Sequence, residues 1–303
     1  MTITIHSGSA QLSKGAGFEL PGRISPPTTI QSQPLDPFTS TACAVQPEKT
    51  PSKLAETARS AFRVTPGSVP LTRFRQEQSP KVSAEKGEVT AVGQQPDYQP
   101  KEEIVLIDPT NFGDRYLKDI NGNPALLDPI VVLHETVGSA SSAIGLFRTP
   151  HPRDDDQSSY HSLIRLDGTV VYLVPPDKRA FGAGNSAFKG SNGLELVRTN
   201  PTLAGSVNNF AYHISLETPW DGNHNGYSHS GYTQAQYESL AWLVAKTNVP
   251  DDRITTHKAV DRSASRIDPR SFSYSKFQQL LKTYPKTSEI TIRCTEPGET
   301  PQT

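Results

Sequence analysis

The feature that most constrains the fold of this chain is the run Ile130–Leu133, which leads directly into His134. All four residues of the run are apolar, and three of them are β-branched. A short unbroken apolar run predicts a strand that is buried on both faces of a sheet. In α/β sheets the end of such a strand opens into the ligand crevice. We therefore expect His134 to lie at a functional edge of a sheet, although a single histidine at such a place is more often structural.

The apolar residues are spread unevenly along the 303 residues, and this predicts the domain organisation. Residues 1–100 are rich in Pro, Ser, Thr, Gln and Gly and hold no apolar run that could bury a core, so we expect them to be disordered. A small domain of unusual composition is the alternative. Residues 101–290 have a globular pattern and are long enough for one core. Residues 291–303 are predicted to be a loose tail.

Within residues 101–290 the pattern alternates between strands and helices. The turn Asp167-Gly168 joins two apolar runs and predicts a β-hairpin, and a further strand over 212–216 ends at Glu217. Thr233 and Gln236 form a capping box that opens a helix. The predicted fold class is therefore α/β, with a single mixed central β-sheet flanked by helices.

Composition excludes several classes of function. The formal net charge is -1 and the sequence pI is about 6.7, so no basic field indicates a nucleic-acid partner. Mean hydropathy is -0.52, and no run of about 18 apolar residues predicts a transmembrane segment. No signal peptide is visible after Met1, which leaves a cytoplasmic role, non-classical export and release by lysis all open. The two cysteines, Cys43 and Cys294, exclude a disulfide-rich scaffold and a thiolate zinc site and leave the redox compartment open.

Three residues near predicted strand ends have the chemistry of a catalytic metal site. His134 ends the first strand, His257 follows a short extended piece, and Asp268 comes eleven residues later. A catalytic zinc takes three protein ligands and keeps one position for water, and two imidazoles with one carboxylate form such a set. The spacing alone is weak support, because it is not the short His-x-x-x-His pattern of a zincin helix.

Motifs around these residues occur in an order typical of one family. They are Val-Leu-His-Glu-Thr at 132–136, Tyr-His-Ser-Leu-Ile at 160–164 with Asp-Gly-Thr at 167–169, Ile-Ser-Leu-Glu at 214–217, and His257 followed by Arg266-x-Asp268-Pro269. Over about residues 130–281 the chain resembles the zinc-dependent N-acetylmuramoyl-L-alanine amidases of the type 2, or peptidoglycan-recognition-protein, family.

The resemblance implies a site and an activity. His134, His257 and Asp268 are the implied ligands of one zinc ion, and Glu217 matches a carboxylate that acts as general base. Arg266 falls where the family usually has an oxyanion-stabilising Lys, and Tyr160 matches a tyrosine that assists catalysis in some branches. The implied activity is hydrolysis of the bond between N-acetylmuramic acid and L-alanine in peptidoglycan or muropeptides, by a protein that we expect to be a monomer.

The chain also departs from the family pattern. Gly182 stands where a histidine is usual, in Phe-Gly-Ala-Gly, and Arg270-Ser271 follow Asp268-Pro269 in place of Gly-Pro. These departures bear on contacts with the substrate more than on the metal site.

Each assignment has a simpler alternative. Glu217 could be a surface carboxylate that ends a strand, Arg266 could pair with a nearby acid, and Tyr160 could be a core side chain. His161 is predicted to lie in the core or behind the ligands, His224 and His229 to be exposed or to line the groove, and residues 154–156 to form a solvated loop. For the whole protein, the alternative is a non-catalytic peptidoglycan-binding module on the same fold. The complete ligand set together with Glu217 favours the enzyme.

Overall fold

A six-stranded mixed β-sheet forms the centre of the fold in the computed structural model, which describes residues 36–49, 69–77, 97–191 and 193–298. The strands of the described chain are β1 (Glu102–Ile104), β2 (Phe112–Asp114), β3 (Ile130–Glu135), β4 (Ser162–Ile164), β5 (Val170–Tyr172), β6 (Lys178–Ala180), β7 (Phe188–Gly190), β8 (Gly193–Glu195), β9 (Ala211–Leu216) and β10 (Ile254–Thr256). The central sheet has the order β1-β5-β4-β9-β3-β10. Its neighbours are parallel except for the hairpin β4–β5. The predicted mixed sheet and hairpin are therefore confirmed. The pairs β2–β6 and β7–β8 form two small antiparallel sheets.

Four α-helices accompany these strands in the described residues: α1 (Ala140–Phe147), α2 (Gln234–Ala245), α3 (His257–Val260) and α4 (Tyr274–Leu281). The predicted capping box is present at the start of α2, where the Thr233 side chain accepts from the backbone of Gln236 and the Gln236 side chain accepts from the backbone of Thr233. Short 3-10 turns cover Leu71–Arg73, Pro109–Asn111, Asp154–Asp156, Trp220–Gly222 and Asp251–Arg253. No helix in the described ranges is long and apolar enough to cross a bilayer.

Strand β3 is buried on both faces, as its sequence predicted, and it divides the core in two. Val131 and Leu133 belong to a large cluster that includes residues of α2 and α4. Ile130 and Val132 belong to a second cluster that includes Val260 of α3. Because side chains alternate along a strand, His134 emerges on the same side as Ile130 and Val132.

The predicted disorder of residues 1–100 does not hold for the described parts of that region. Phe38 and Phe74 are 0 % and 1 % exposed. Their rings lie 4.8 Å from Phe112 and 5.5 Å from Tyr172, measured between ring centroids. Each aromatic ring packs into the core that residues 101–290 build. The described segments before residue 101 are therefore ordered without an apolar run of their own. The rest of the predicted region, residues 1–35, 50–68 and 78–96, lies outside the described residues.

The predicted loose tail is also corrected where it is described. Cys294 is buried and forms a disulfide with Cys43, and Thr295 exchanges backbone hydrogen bonds with Thr41 and Cys43. The segments 36–49 and 291–298 therefore pair with each other beside the domain. Two cysteines in a long chain are not a disulfide scaffold, but they do form one bond that spans almost the whole sequence. Residues 299–303 lie outside the described part of the tail.

Candidate metal centre and groove

The neighbouring parallel strands β3 and β10 place two histidines side by side. Thr256 of β10 is level with Leu133 of β3, so His257 and His134 follow at the same edge of the sheet. Asp268 reaches this edge from the loop after α3, where its carbonyl accepts a 2.9 Å hydrogen bond from the backbone N–H of Lys258. The possible ligand atoms of His134, His257 and Asp268 all lie within 4.8 Å of one another. The fold thus brings together the three residues that the sequence singled out.

The chemistry of these three side chains fits a metal ion. His134 is 0 % exposed, and its Nδ1 has no hydrogen-bond partner among the described residues. That atom lies 3.4 Å from Oδ2 of Asp268, and Nδ1 of His257 lies 3.0 Å from Oδ1 of the same carboxylate. A cation held between the carboxylate and the two imidazoles would give this buried nitrogen the partner that it lacks.

Electrostatics keep two of these groups in the form that binds a metal. Burial lowers the pKa of His134 to about 4, against a weaker upward effect of Asp268. Burial by itself would raise the pKa of Asp268, but the close contacts with the His134 and His257 rings outweigh it and lower the pKa below its usual range. At neutral pH His134 is therefore a neutral imidazole and Asp268 a carboxylate, and zinc needs both in those states.

Two further histidines lie behind His134. Nε2 of His134 is 2.9 Å from Nδ1 of His213, a residue of β9 that the sequence reasoning did not single out. The backbone N–H of His213 in turn donates to Nδ1 of His161. Burial lowers the pKa of both His161 and His213 well below the usual value, so both rings are neutral at neutral pH. A polar residue inside an otherwise apolar strand was the sequence signal for His213.

Tyr160 and Arg266 line the same groove as His257 and Asp268. The ring of Tyr160 is 4.8 Å from that of His134, between centroids, and it lies edge-to-face with the ring of Phe147. Burial raises the pKa of the Tyr160 hydroxyl, so that hydroxyl stays protonated and is able to donate a hydrogen bond. Arg266 is exposed, and its backbone N–H is held by Oδ2 of Asp261 at 2.9 Å.

The carboxylate of Glu217, the predicted general base, is bound by two backbone N–H groups outside the candidate ligand set. Its Oε1 accepts the backbone N–H of Ala140 at 2.7 Å, and its Oε2 accepts that of Leu166 at 3.0 Å. The first contact places a negative charge at the N-terminus of α1, where the helix dipole is favourable. The residue of β9 that is level with His134 is Ser215. Both oxygens of Glu217 are therefore used to join α1 and the β4–β5 turn to the end of β9.

Of the two loop histidines, His229 differs from its predicted position. The His229 side chain is fully buried, and its Nε2 lies 3.0 Å from Oε2 of Glu135, on the opposite face of β3 from His134. Arg270 binds the same carboxylate through Nε and donates to carbonyls of the 222–226 loop. Glu135 and Arg270 thus anchor that loop. Only His224 is exposed, as predicted for both histidines.

The groove in front of the candidate ligands has a volume of about 1070 Å³. Its lining includes Tyr160, His257, Asp268, Asp154 and Asn200, together with residues 46–48 of the N-terminal segment. One wall of the groove therefore comes from chain that precedes the predicted catalytic domain.

Known proteins resemble this chain over the part that carries the site. Residues 128–271 match the family model described as N-acetylmuramoyl-L-alanine amidase, Amidase_2. The 1,6-anhydro-N-acetylmuramyl-L-alanine amidase AmpD of Enterobacter cloacae is 32% identical over 125 residues, which are 40% of this chain and 56% of that protein. The protein of the same name from Escherichia coli K12 is 37% identical over 83 residues, or 27% and 34% of the two chains. The matched part of this chain thus spans about half, 56%, of the length of the E. cloacae protein.

Solved structures that match this chain include a selenomethionine derivative of AmpD, with a TM-score of 0.43 and 24% identity over 61% of this chain and 96% of that one. AmpDh3 from Pseudomonas aeruginosa, in complex with an anhydromuramic pentapeptide, has a TM-score of 0.38 and 16% identity over 61% and 64% of the two chains.

Proposed function

We propose that this chain, whose residues 128–271 match the N-acetylmuramoyl-L-alanine amidase family model, is a zinc-dependent amidase of that family. The proposed reaction is hydrolysis of the amide bond between the lactyl carbonyl of N-acetylmuramic acid and L-alanine, in peptidoglycan or in muropeptides. The relatives from E. cloacae and E. coli carry the name of such an amidase, which supports this substrate class.

One observation carries the proposal more than any other. The buried Nδ1 of His134 has no partner in the described chain and faces His257 and Asp268. Leaving a buried polar atom unpaired costs about 1–3 kcal/mol, so a chain that keeps it has a use for it. A zinc ion held by these three residues would acidify a water molecule and polarise the scissile carbonyl.

Two groove residues are proposed to act on the reacting groups. The Tyr160 hydroxyl, kept protonated by burial, is a hydrogen-bond donor beside His134 that orients the water or the carbonyl. The guanidinium of Arg266 provides positive charge for the oxyanion that develops during attack. Because the pKa of an arginine is effectively beyond reach, Arg266 supplies charge and does not transfer a proton.

The groove supports a substrate that is larger than one amino acid or one sugar. Its volume of about 1070 Å³ is at the upper end of pockets for small ligands, which run to about 1,000 Å³. The peptide stem and the muramic acid of a muropeptide would therefore both find space beside the cleaved bond.

The test combines metal analysis with product analysis. The purified protein is expected to contain one zinc ion and to release a peptide with N-terminal L-alanine from a muropeptide, as detected by mass spectrometry. A chelator should abolish the release, and added zinc should restore it. A protein that binds the muropeptide without cleaving it would instead be a peptidoglycan-binding module, and the proposed activity would fail.

A further inference from the structure

We propose that His213 is a positioning residue for His134, because its Nδ1 accepts the hydrogen bond that makes His134 present Nδ1 to the metal. This inference rests on the zinc site proposed above. It concerns a residue of β9 outside the ligand set and outside the groups that touch the substrate.

The contact between the two rings determines which nitrogen of His134 carries the proton. Nε2 of His134 and Nδ1 of His213 are 2.9 Å apart, and both side chains are fully buried. One of these nitrogens must donate and the other must accept. If Nδ1 of His134 is to bind a metal it needs a free lone pair, so the proton is on Nε2 and His213 is the acceptor. A partner of this kind sets the tautomer and the ring orientation of a ligating histidine.

His213 is itself held in place by a second histidine. Its backbone N–H donates to Nδ1 of His161 at 2.9 Å, and the two rings stack with centroids 5.7 Å apart and planes 11° apart. Nε2 of His161 lies 3.0 Å from the carbonyl of Lys178, so that nitrogen carries the proton of His161 and donates it. The row His161–His213–His134 therefore ends at the metal edge: His161 binds the backbone of His213 and stacks on its ring, and the His213 ring binds that of His134.

The space for the His213 ring exists because residue 182 has no side chain. A Cβ built on Gly182 would lie 2.5 Å from both Cγ and Nδ1 of His213, which is closer than real Cβ atoms approach other atoms. Any larger residue at position 182 would have to push away the nitrogen that accepts from His134. The His213 ring thus fills the space that a side chain at position 182 would need. A substitution of Gly182 is therefore a second way to test the role of His213.

The first test measures zinc affinity by competition with a chelator of known strength. We expect His213→Ala to weaken zinc binding about 10–100-fold, the usual effect of losing such a partner. His213→Asn should bind zinc within about threefold of the wild type, since the Asn oxygen takes the place of the Nδ1 acceptor. Thermal unfolding of the zinc-free proteins serves as the second readout, because a merely structural role would lower the unfolding temperature without separating Asn from Ala.

The second test leaves every histidine in place. Gly182→Ala is expected to weaken zinc binding, whereas Gly184→Ala is the matched control, because a Cβ there meets no atom within 4 Å. Combining Gly182→Ala with His213→Ala should add no further loss, since the methyl group acts only through the His213 ring. If His213→Ala does not fold, the comparison of Gly182→Ala with Gly184→Ala still tests the role of His213.

The outcomes separate this inference from the proposed function. The role of His213 is overturned if His213→Ala binds zinc as tightly as the wild type, if His213→Asn is no better than His213→Ala, or if Gly182→Ala and Gly184→Ala bind equally. A wild-type protein that binds no zinc would instead overturn the metal site itself.

Discussion

Cys43 and Cys294 form a disulfide although 251 residues separate them in the chain. The bond joins segment 36–49 to segment 291–298, which also exchange backbone hydrogen bonds. From there the N-terminal segment runs past Tyr116 to residues 46–48, which line the groove. A wall of the proposed substrate site is thus tied to the opposite end of the chain.

Removing the disulfide should destabilise the fold. We expect Cys43→Ser with Cys294→Ser to lower the free energy of unfolding by about 2–4 kcal/mol, because a closed loop of this length strongly restricts the unfolded chain. Urea unfolding measures the change, and the reduced wild type is the control that should reproduce it. An unchanged midpoint would mean that the two segments are held without the bond.

Truncation tests the corrected domain boundary. A protein that starts near Lys101 loses the buried Phe38 and Phe74, and it leaves Glu102 and Glu289 without Arg75. Since emptying one phenylalanine site costs about 3–5 kcal/mol, we expect this truncated protein to lose its cooperative unfolding transition or to unfold at a much lower midpoint.

A protein that starts at Pro34 is the control for this truncation. It keeps every described residue and should unfold like the full chain. If the shorter protein were equally stable, the packing of Phe38 and Phe74 would contribute little, and the boundary near residue 101 would stand.

Glu217→Gln distinguishes a structural carboxylate from a catalytic one. A Gln side chain has one acceptor oxygen for the two backbone N–H groups of Ala140 and Leu166, so the free energy of unfolding should fall by about 1–3 kcal/mol. Zinc affinity should not change, and turnover should fall by less than the about 10²–10⁴-fold that loss of a general base causes. Glu238→Gln, the same change on α2, is the control. Normal stability with a large loss of turnover would restore Glu217 as the base.

Each of the three candidate ligands is expected to be necessary for zinc binding. His134→Ala, His257→Ala and Asp268→Ala should each remove bound zinc, because a site of three protein ligands does not keep high affinity with two. The zinc content of the purified variants is the measurement, and circular dichroism checks that each variant is folded. Full zinc occupancy in Asp268→Ala would place the third ligand elsewhere.

Arg266 should contribute to turnover without contributing to zinc binding. We expect Arg266→Ala to lower kcat about 10²–10³-fold, the usual cost of losing one oxyanion-stabilising group, with zinc content unchanged. Arg266→Lys should recover most of that loss because it restores the charge. Arg262→Ala, an exposed arginine of the same loop, is the matched control. Equal effects of the two alanine variants would indicate a general change in surface charge.

The fold class and the candidate ligands could be read from the sequence because their signals are local. The apolar run of β3, the Asp-Gly turn of the β4–β5 hairpin and the capping box of α2 each constrain the few residues that carry them. The proximity of His134 and His257 could be predicted from the same signals. Each follows a parallel strand, and the carboxyl ends of neighbouring parallel strands lie at the same edge of the sheet.

Only the tertiary structure decided how Glu217, His213 and Cys43 are used. The direction of Glu217 depends on the backbone N–H groups of Ala140 and Leu166, which are far from it in sequence. The role of His213 depends on the empty space above Gly182, and that of Cys43 on a partner at the other end of the chain. These three roles depend on contacts between residues that are far apart in the chain. A sequence pattern predicts only the conformation of one stretch at a time.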